Sequence, residues 1–205
     1  MLSNEILPTR SAILQLQEEK GVITEAYDFL DEKRLLLAAE LLRQLKQYEE
    51  LMAEHESLRL LAQKALAASV RRHGLHGTHV YPATYLEDCK VETSQRKFMG
   101  VTLAANELQM EDSDEPLEVS NPSPEAEQCR KLFLQLVSKA TVMAGVSANL
   151  HRLFAEYRRT ERRARALENV VLPEVGQLLR EMSNQLEELD QEDTIRLHLK
   201  RKDGI

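Results

Sequence analysis

The residues best suited by type to bind a metal are His73, His76 and His79, followed by Asp88 and Cys89. Imidazole, thiolate and carboxylate are the donors that a tetrahedral zinc site gathers. Gly74 and Gly77 stand inside the run, however, and break the helix that would align imidazoles three residues apart. The stretch therefore reads as a solvated loop, and no metal is expected. Cys89 has no neighbour of the kind that lowers a thiol pKa, so a nucleophile is not expected there. Cys89 and Cys129 are far apart and outside CxxC spacing, which suits free thiols in a reducing compartment. Neither a GxxxxGK[ST] loop nor a GxGxxG turn occurs, so the chain is expected to bind no nucleotide and no cofactor. These readings leave no catalytic residue, and the chain is expected not to be an enzyme.

A second group of residues points to contact rather than catalysis. Arg158, Arg159, Arg162, Arg163 and Arg165 form a basic cluster denser than solubility requires, beside Glu156, Glu161 and Glu168. It is either a solvated helix face or a surface for acidic loops of a partner. Lys200, Arg201 and Lys202 at the far end are expected to complement the negative end of a helix dipole, with contact to a partner surface as the alternative. The net charge of −7 disfavours nucleic acid and anionic membrane surfaces as partners.

The elements that must carry these residues are helices. Aromatics make up 4% of the 205 residues, charged residues 30%, and Trp is absent. That composition describes helices with narrow apolar seams rather than a compact globule. After Gly21 no Gly or Pro occurs until Gly74, and from Glu125 onward only Gly145, Pro173, Gly176 and Gly204 interrupt. The other breakers crowd the centre. Ile23, Tyr27, Leu30, Leu37, Leu41, Leu45, Tyr48, Met52, His55 and Leu58 recur at helical steps in the first arm. Leu150, Phe154, Tyr157, Ala164, Leu167, Val171, Val175, Leu178, Met182, Leu186 and Leu189 do so in the second. Such seams predict a mainly all-α fold, a long antiparallel two-helix coiled coil with arms of about 90 and 105 Å. Residues 1–73 and 125–205 are its arms. Residues 74–124 are expected to be a small irregular or β-hairpin lobe, with strand signals at 80–86 and 98–103 and an acidic, Pro/Ser-rich connection at 111–127. Pro173 is expected to kink or split the second arm. Gly145 is read as a tolerated helix glycine in preference to a point of close approach. Antiparallel pairing of Arg10 with Glu192 or Asp193, and of Arg34 with Glu168, would share a residue-number sum near 202 (10 + 192; 34 + 168).

Two stretches carry a resemblance. Near the start stand Pro8, Thr9, Arg10, Ile13, Leu14, Phe29, Leu30, Lys33, Arg34 and Leu37. Near the end stand Arg162, Arg163, Ala166, Leu167, Glu168, Val171, Leu172 and Pro173, then Glu192, Asp193, Thr194, Arg196 and Leu197. In this order they resemble the D subunit of the V/A-type rotary ATPases over about 110 residues, both arms but not the centre. The first arm departs from that family's basic character at Glu18, Glu19, Glu25, Asp28 and Asp31, and Arg165 and His198 replace an Asn and a Lys. The resemblance implies a central rotor shaft that carries torque between the catalytic A and B subunits and a membrane ion-translocating ring, coupled to ATP synthesis or hydrolysis with proton or sodium transport. It implies contacts with A and B, with the F subunit and with the funnel-shaped subunit above the ring. Arg10, Lys33, Arg34, Arg158, Arg159, Arg162, Arg163, Arg165, Glu168, Asp193 and Arg196 are the partner-contact candidates. A generic coiled-coil scaffold or tether shares the periodicity but not the ordered motifs.

The N-terminus has neither a basic start nor an apolar core, so no signal peptide is expected. The greasiest stretch, 35–42, is interrupted by Glu40 and is far shorter than the ~20 residues of a membrane span. The expected location is cytoplasmic, at the membrane only through the complex, with no direct insertion.

Overall fold

The structure, a computed structural model, describes residues 9–79, 89–110 and 123–202. Helix α1 runs Arg10–His79, strands β1 and β2 run Cys89–Phe98 and Val101–Met110, α2 runs Pro124–Ala166, a π-helical turn covers Leu167–Val171, and α3 runs Leu172–Lys202. The chain is thus mainly helical with one two-stranded antiparallel sheet. It divides into two compact units, one of Met1–Leu36 with Tyr157–Ile205 and one of Leu37–Glu156.

In the first unit the start of α1 lies antiparallel to α3 and the end of α2. Ile13 and Leu16 are buried with Met182, and Val175, Leu178, Leu179 and Leu186 pack around them. Arg10 donates to Asp190 at 2.9 Å, while farther along Tyr27 lies near Glu168. Rising numbers on one helix meet falling numbers on the other. The Arg10 partner lies two to three residues before the expected Glu192 or Asp193, and Arg34 pairs with Asp31 at 2.5 Å instead of Glu168. Surface ion pairs are too weak, at ~0.2–1 kcal/mol, to dictate register; the apolar seam sets it.

The π turn explains how the seam survives Pro173. Upstream, buried Thr160 and Ala164 and half-buried Leu167 and Val171 step by four, three and four residues. Continuing that rhythm would turn Glu174, Glu181 and Gln185 inward, yet all three are exposed. Val175, Leu179, Met182 and Leu186 face in, one residue later. The sequence therefore holds one residue more than the heptad allows. The wider turn absorbs it, with the Leu172 N–H reaching back five residues to the Leu167 carbonyl. Pro173, which has no N–H to give, follows directly. The expected disruption is a phase correction within a continuous helical run.

In the second unit α1 and α2 are again antiparallel: Glu54 pairs with Lys139 and Arg72 with Glu125. The inward positions include Leu37, Gln44 and Ala62 on α1, and Val146, Asn149 and Leu153 on α2. Leu45 and Met52, expected inside, are 44% and 54% exposed. The strict heptad from Leu37 through Leu41 gives their place to Gln44 and half-buried Leu51. Leu153 likewise takes the place expected of Phe154, and Leu189, also expected inside, is exposed.

The expected break falls at Gly74, whose φ of 72° and ψ of 167° are not helical, and a second helical stretch beyond this kink carries α1 on to His79. Ser123 then caps α2, its hydroxyl accepting from the Ala126 N–H at 3.2 Å. Between the helices, β1 and β2 pair from Cys89↔Met110 to Phe98↔Val101. The two-residue turn is Met99–Gly100, with φ of 47° and 85°. Positive φ at both positions is the type I′ geometry that suits the twist of a tight hairpin. The 98–103 stretch, expected to be a strand, thus straddles this turn. Residues 80–86 and Asp88, and most of the 111–127 connection, lie outside the described residues.

Candidate functional site

The hairpin is fastened to both helices of its unit. Val101 and Leu103 of β2 are buried, whereas β1 is exposed along nearly its whole length. On the outer edge of β2, the Ala104 N–H donates to Asn149 Oδ1 at 2.8 Å, and Asn149 Nδ2 donates to the Ala104 carbonyl at 2.7 Å. One side-chain amide from α2 stands where a third strand would stand. Arg152 adds a bond to the Thr102 carbonyl at 3.3 Å. Nearby a Cβ on Gly145 would come within 3.3 Å of the Asn106 side chain and 3.4 Å of its backbone N. Gly145 is therefore a point of close approach, correcting the expectation of a merely tolerated glycine.

The α1 side is fastened by a charge cluster. Glu40 is 8% exposed and accepts from Arg43 at 2.8 and 2.7 Å, from Gln44 at 3.1 Å and from Arg96 of β1 at 2.6 Å. The Arg43 hydrogen bonds hold its carboxyl down to about 2. Burial alone would push it up, while the Gln44 bond and the charges of Arg43 and Arg96 add to the lowering. A cavity of about 430 Å³, lined by Arg43, Gln44, Arg96, Asn106 and Asn149 among others, lies between hairpin and helices.

Of the histidines singled out by spacing, His73 is half-buried and shares a 2.6 Å hydrogen bond with Ser123 Oγ. His76 is exposed on the helical turn beyond Gly74, a helix rather than the expected loop. Among the described residues no three His, Cys, Asp or Glu converge as metal ligands. Cys89 opens β1, and Cys129 is buried in α2, where desolvation raises its thiol pKa.

The contact candidates fall in the first unit. Arg10 reaches Asp190, Arg34 reaches Asp31, and Arg165 reaches Glu161 at 2.6 Å. Arg196 lies 3.4 Å from Glu192 and 3.7 Å from Asp193. Arg162 donates to the Arg158 carbonyl at 3.2 Å. Arg158, Arg159 and Arg163 are exposed, and Lys33 is half-buried. Glu168 sits exposed on the π turn; after partial burial, its charge is the next cause raising the Tyr27 phenol. Sequence reasoning missed Glu40 and Asn149. Glu40 did leave a signal, a lone carboxylate inside the greasiest run of the chain. Asn149 left none, because its partner is backbone.

No helix among the described residues is long and apolar enough to cross a membrane. Comparison with known proteins gives a consistent answer. The profile of the ATP synthase D-subunit family matches residues 12–202. The chain is 24% identical over 198 residues to the V-type ATP synthase D subunit of Thermotoga neapolitana, covering 96% of this chain and 98% of that protein. It is 25% identical over 195 residues to the A-type ATP synthase D subunit of Methanopyrus kandleri, covering 94% and 84%. The V-type ATP synthase D subunit of Treponema pallidum that carries the number 2 is 24% identical over 193 residues, covering 94% and 92%.

Proposed function

Because the chain belongs to the ATP synthase D-subunit family, we propose that it is the central shaft of a V/A-type rotary ATPase, passing torque between catalytic A/B subunits and the membrane ring. The observation that carries this reading is the seam: heptad packing of antiparallel helices, kept in phase through Leu167–Val171 by the π turn. Helices interlocked along such a seam resist twisting against each other, as a torque-bearing element must. Different angular positions of such a shaft would bias the populations of open and closed catalytic interfaces. The chain itself has no active site in this reading.

The contact role of Arg10, Lys33, Arg34, Arg158, Arg159, Arg162, Arg163, Arg165, Glu168, Asp193 and Arg196 is part of the proposal. The pairs Arg10–Asp190 and Arg196–Glu192 are solvent-exposed, and Arg165 is exposed beside a half-buried Glu161. Exposed pairs hold by ~0.2–1 kcal/mol, so a partner carboxylate can replace the intrachain one at little cost. The F subunit and the funnel-shaped subunit above the ring are the remaining proposed partners. Purification under mild conditions through a tag on this chain tests the reading. Two large nucleotide-binding subunits should co-elute, and omission of this chain should abolish ATP-driven ion transport. Elution without them would leave the scaffold or tether reading in its place.

A further inference from the structure

Within the first unit, α1 carries a second apolar row, with steps of eight, seven and seven residues, on the side away from its packed seam. Leu14, Val22 and Phe29 are 60%, 65% and 63% exposed and Leu36 is 37% exposed. Glu18, Glu25 and Glu32 stand between them, all exposed. At 3.6 residues per turn these seven positions fall within an arc of roughly 80°, opposite Leu16, Ile23, Tyr27 and Leu30. Apolar side chains scattered singly on a surface need no explanation; a row that recurs every seven or eight residues is the pattern of a helix that packs on a second side.

Charge decides what can cover it. Glu18, Glu25 and Glu32 make no ion pair among the described residues. Two copies of this chain packed stripe to stripe would set these glutamates against their own kind, and an anionic lipid surface or nucleic acid would meet the same repulsion. A helix or loop that alternates apolar side chains with Lys or Arg fills the spaces beside Val22 and Phe29 and neutralises the carboxylates. We infer that the Leu14–Glu18–Val22–Glu25–Phe29–Glu32–Leu36 stripe docks a basic, apolar segment of a protein partner. The inference deepens the shaft reading by naming the chemistry of a surface that faces this chain in the assembly.

The test places the photo-cross-linker p-benzoylphenylalanine at position 29 and, as a control, at the exposed flank position 24. The assembly is purified through a tag on this chain, and the cross-linked peptides are mapped. Position 29 should join one partner segment that contains Lys or Arg, and position 24 should not reach it. E25K/E32K should cut the position-29 yield at least tenfold while leaving helical content unchanged. E25Q/E32Q should give an intermediate loss, and the yield with unaltered glutamates should fall as salt rises. A cross-link to a second copy, to a segment without basic residues, or none at all in an assembly that retains its nucleotide-binding subunits would overturn the inference. So would a yield indifferent to E25K/E32K. Loss of the nucleotide-binding subunits from an otherwise normal purification would instead sink the shaft reading. In that case a charge-sensitive cross-link to a basic segment of another protein would leave the inference standing.

Discussion

Asn149 and Glu40 show how single polar residues decide what a helix surface can hold. Both are nearly fully buried, at 4% and 8% exposure, and both bond to the hairpin, Glu40 also to neighbours on its own helix. Asn149→Ala would leave the N–H and carbonyl of Ala104 without their α2 partners on a part-buried strand edge. An unmet buried polar group costs ~1–3 kcal/mol, so the variant should unfold about 2–4 kcal/mol more easily in denaturant. Amide exchange should quicken first in 101–110. Gln would not rescue it, because one more methylene displaces the amide from the strand edge. Gly145 complements this contact. Its missing side chain lets Asn106 come close, so the ~1 kcal/mol that Gly→Ala gains in a helix is set against crowding at 3.3 Å.

At the scale of elements, the π turn has two candidate causes that can be separated. Pro173 cannot donate a helical hydrogen bond, and the seam contains one surplus residue. If phase is the cause, Pro173→Ala alone should leave the π turn in place, because Val175, Leu179, Met182 and Leu186 would otherwise rotate out of the seam by about 100°. Deleting Val170 together with Pro173→Ala should give a continuous α-helix with Leu172 taking the inward place of Val171 and the same residues still packed on Ile13 and Leu16. Backbone hydrogen-bond mapping of the two variants by NMR or crystallography checks this. Helicity lost in the deletion variant would show that phase was not the reason. A deletion better tolerated than most substitutions in the same seam is an unusual expectation, and it follows only from counting.

At the scale of the molecule, the two units have different chemistry holding them. The first unit is held by the apolar cluster of Ile13, Leu16 and Met182, which has no titratable member. The second has Glu40, whose carboxyl stands at about 2 when folded against 4.5 as its ordinary value. A carboxyl lowered by folding stabilises above its ordinary value and loses that contribution as pH falls toward the folded one. That contribution is fully present at neutral pH and should fade between about pH 5 and pH 2. Acidification should therefore raise amide exchange in β1 and β2 well before it does so around Met182, and Glu40→Gln should show that exchange already at pH 7. Equal response of both regions would show that Glu40 does not fasten the hairpin.

The two long helical arms, the interrupted centre and the ordered motif blocks were legible in the residues alone, because heptad spacing and the placement of Gly and Pro are local properties. The hairpin was only half legible: its turn is Met99–Gly100 rather than Asn-Gly, and β1 alternates little because neither of its faces is buried. Four things needed the folded chain. Gln44 and Leu51 take the places expected of Leu45 and Met52, Arg10 meets Asp190, Asn149 finishes a strand edge, and a surplus residue is stored in a π turn. Each depends on which helix face meets which partner. A spacing of three or four residues says that a face exists, but only the opposing surface selects the residue on it that is buried.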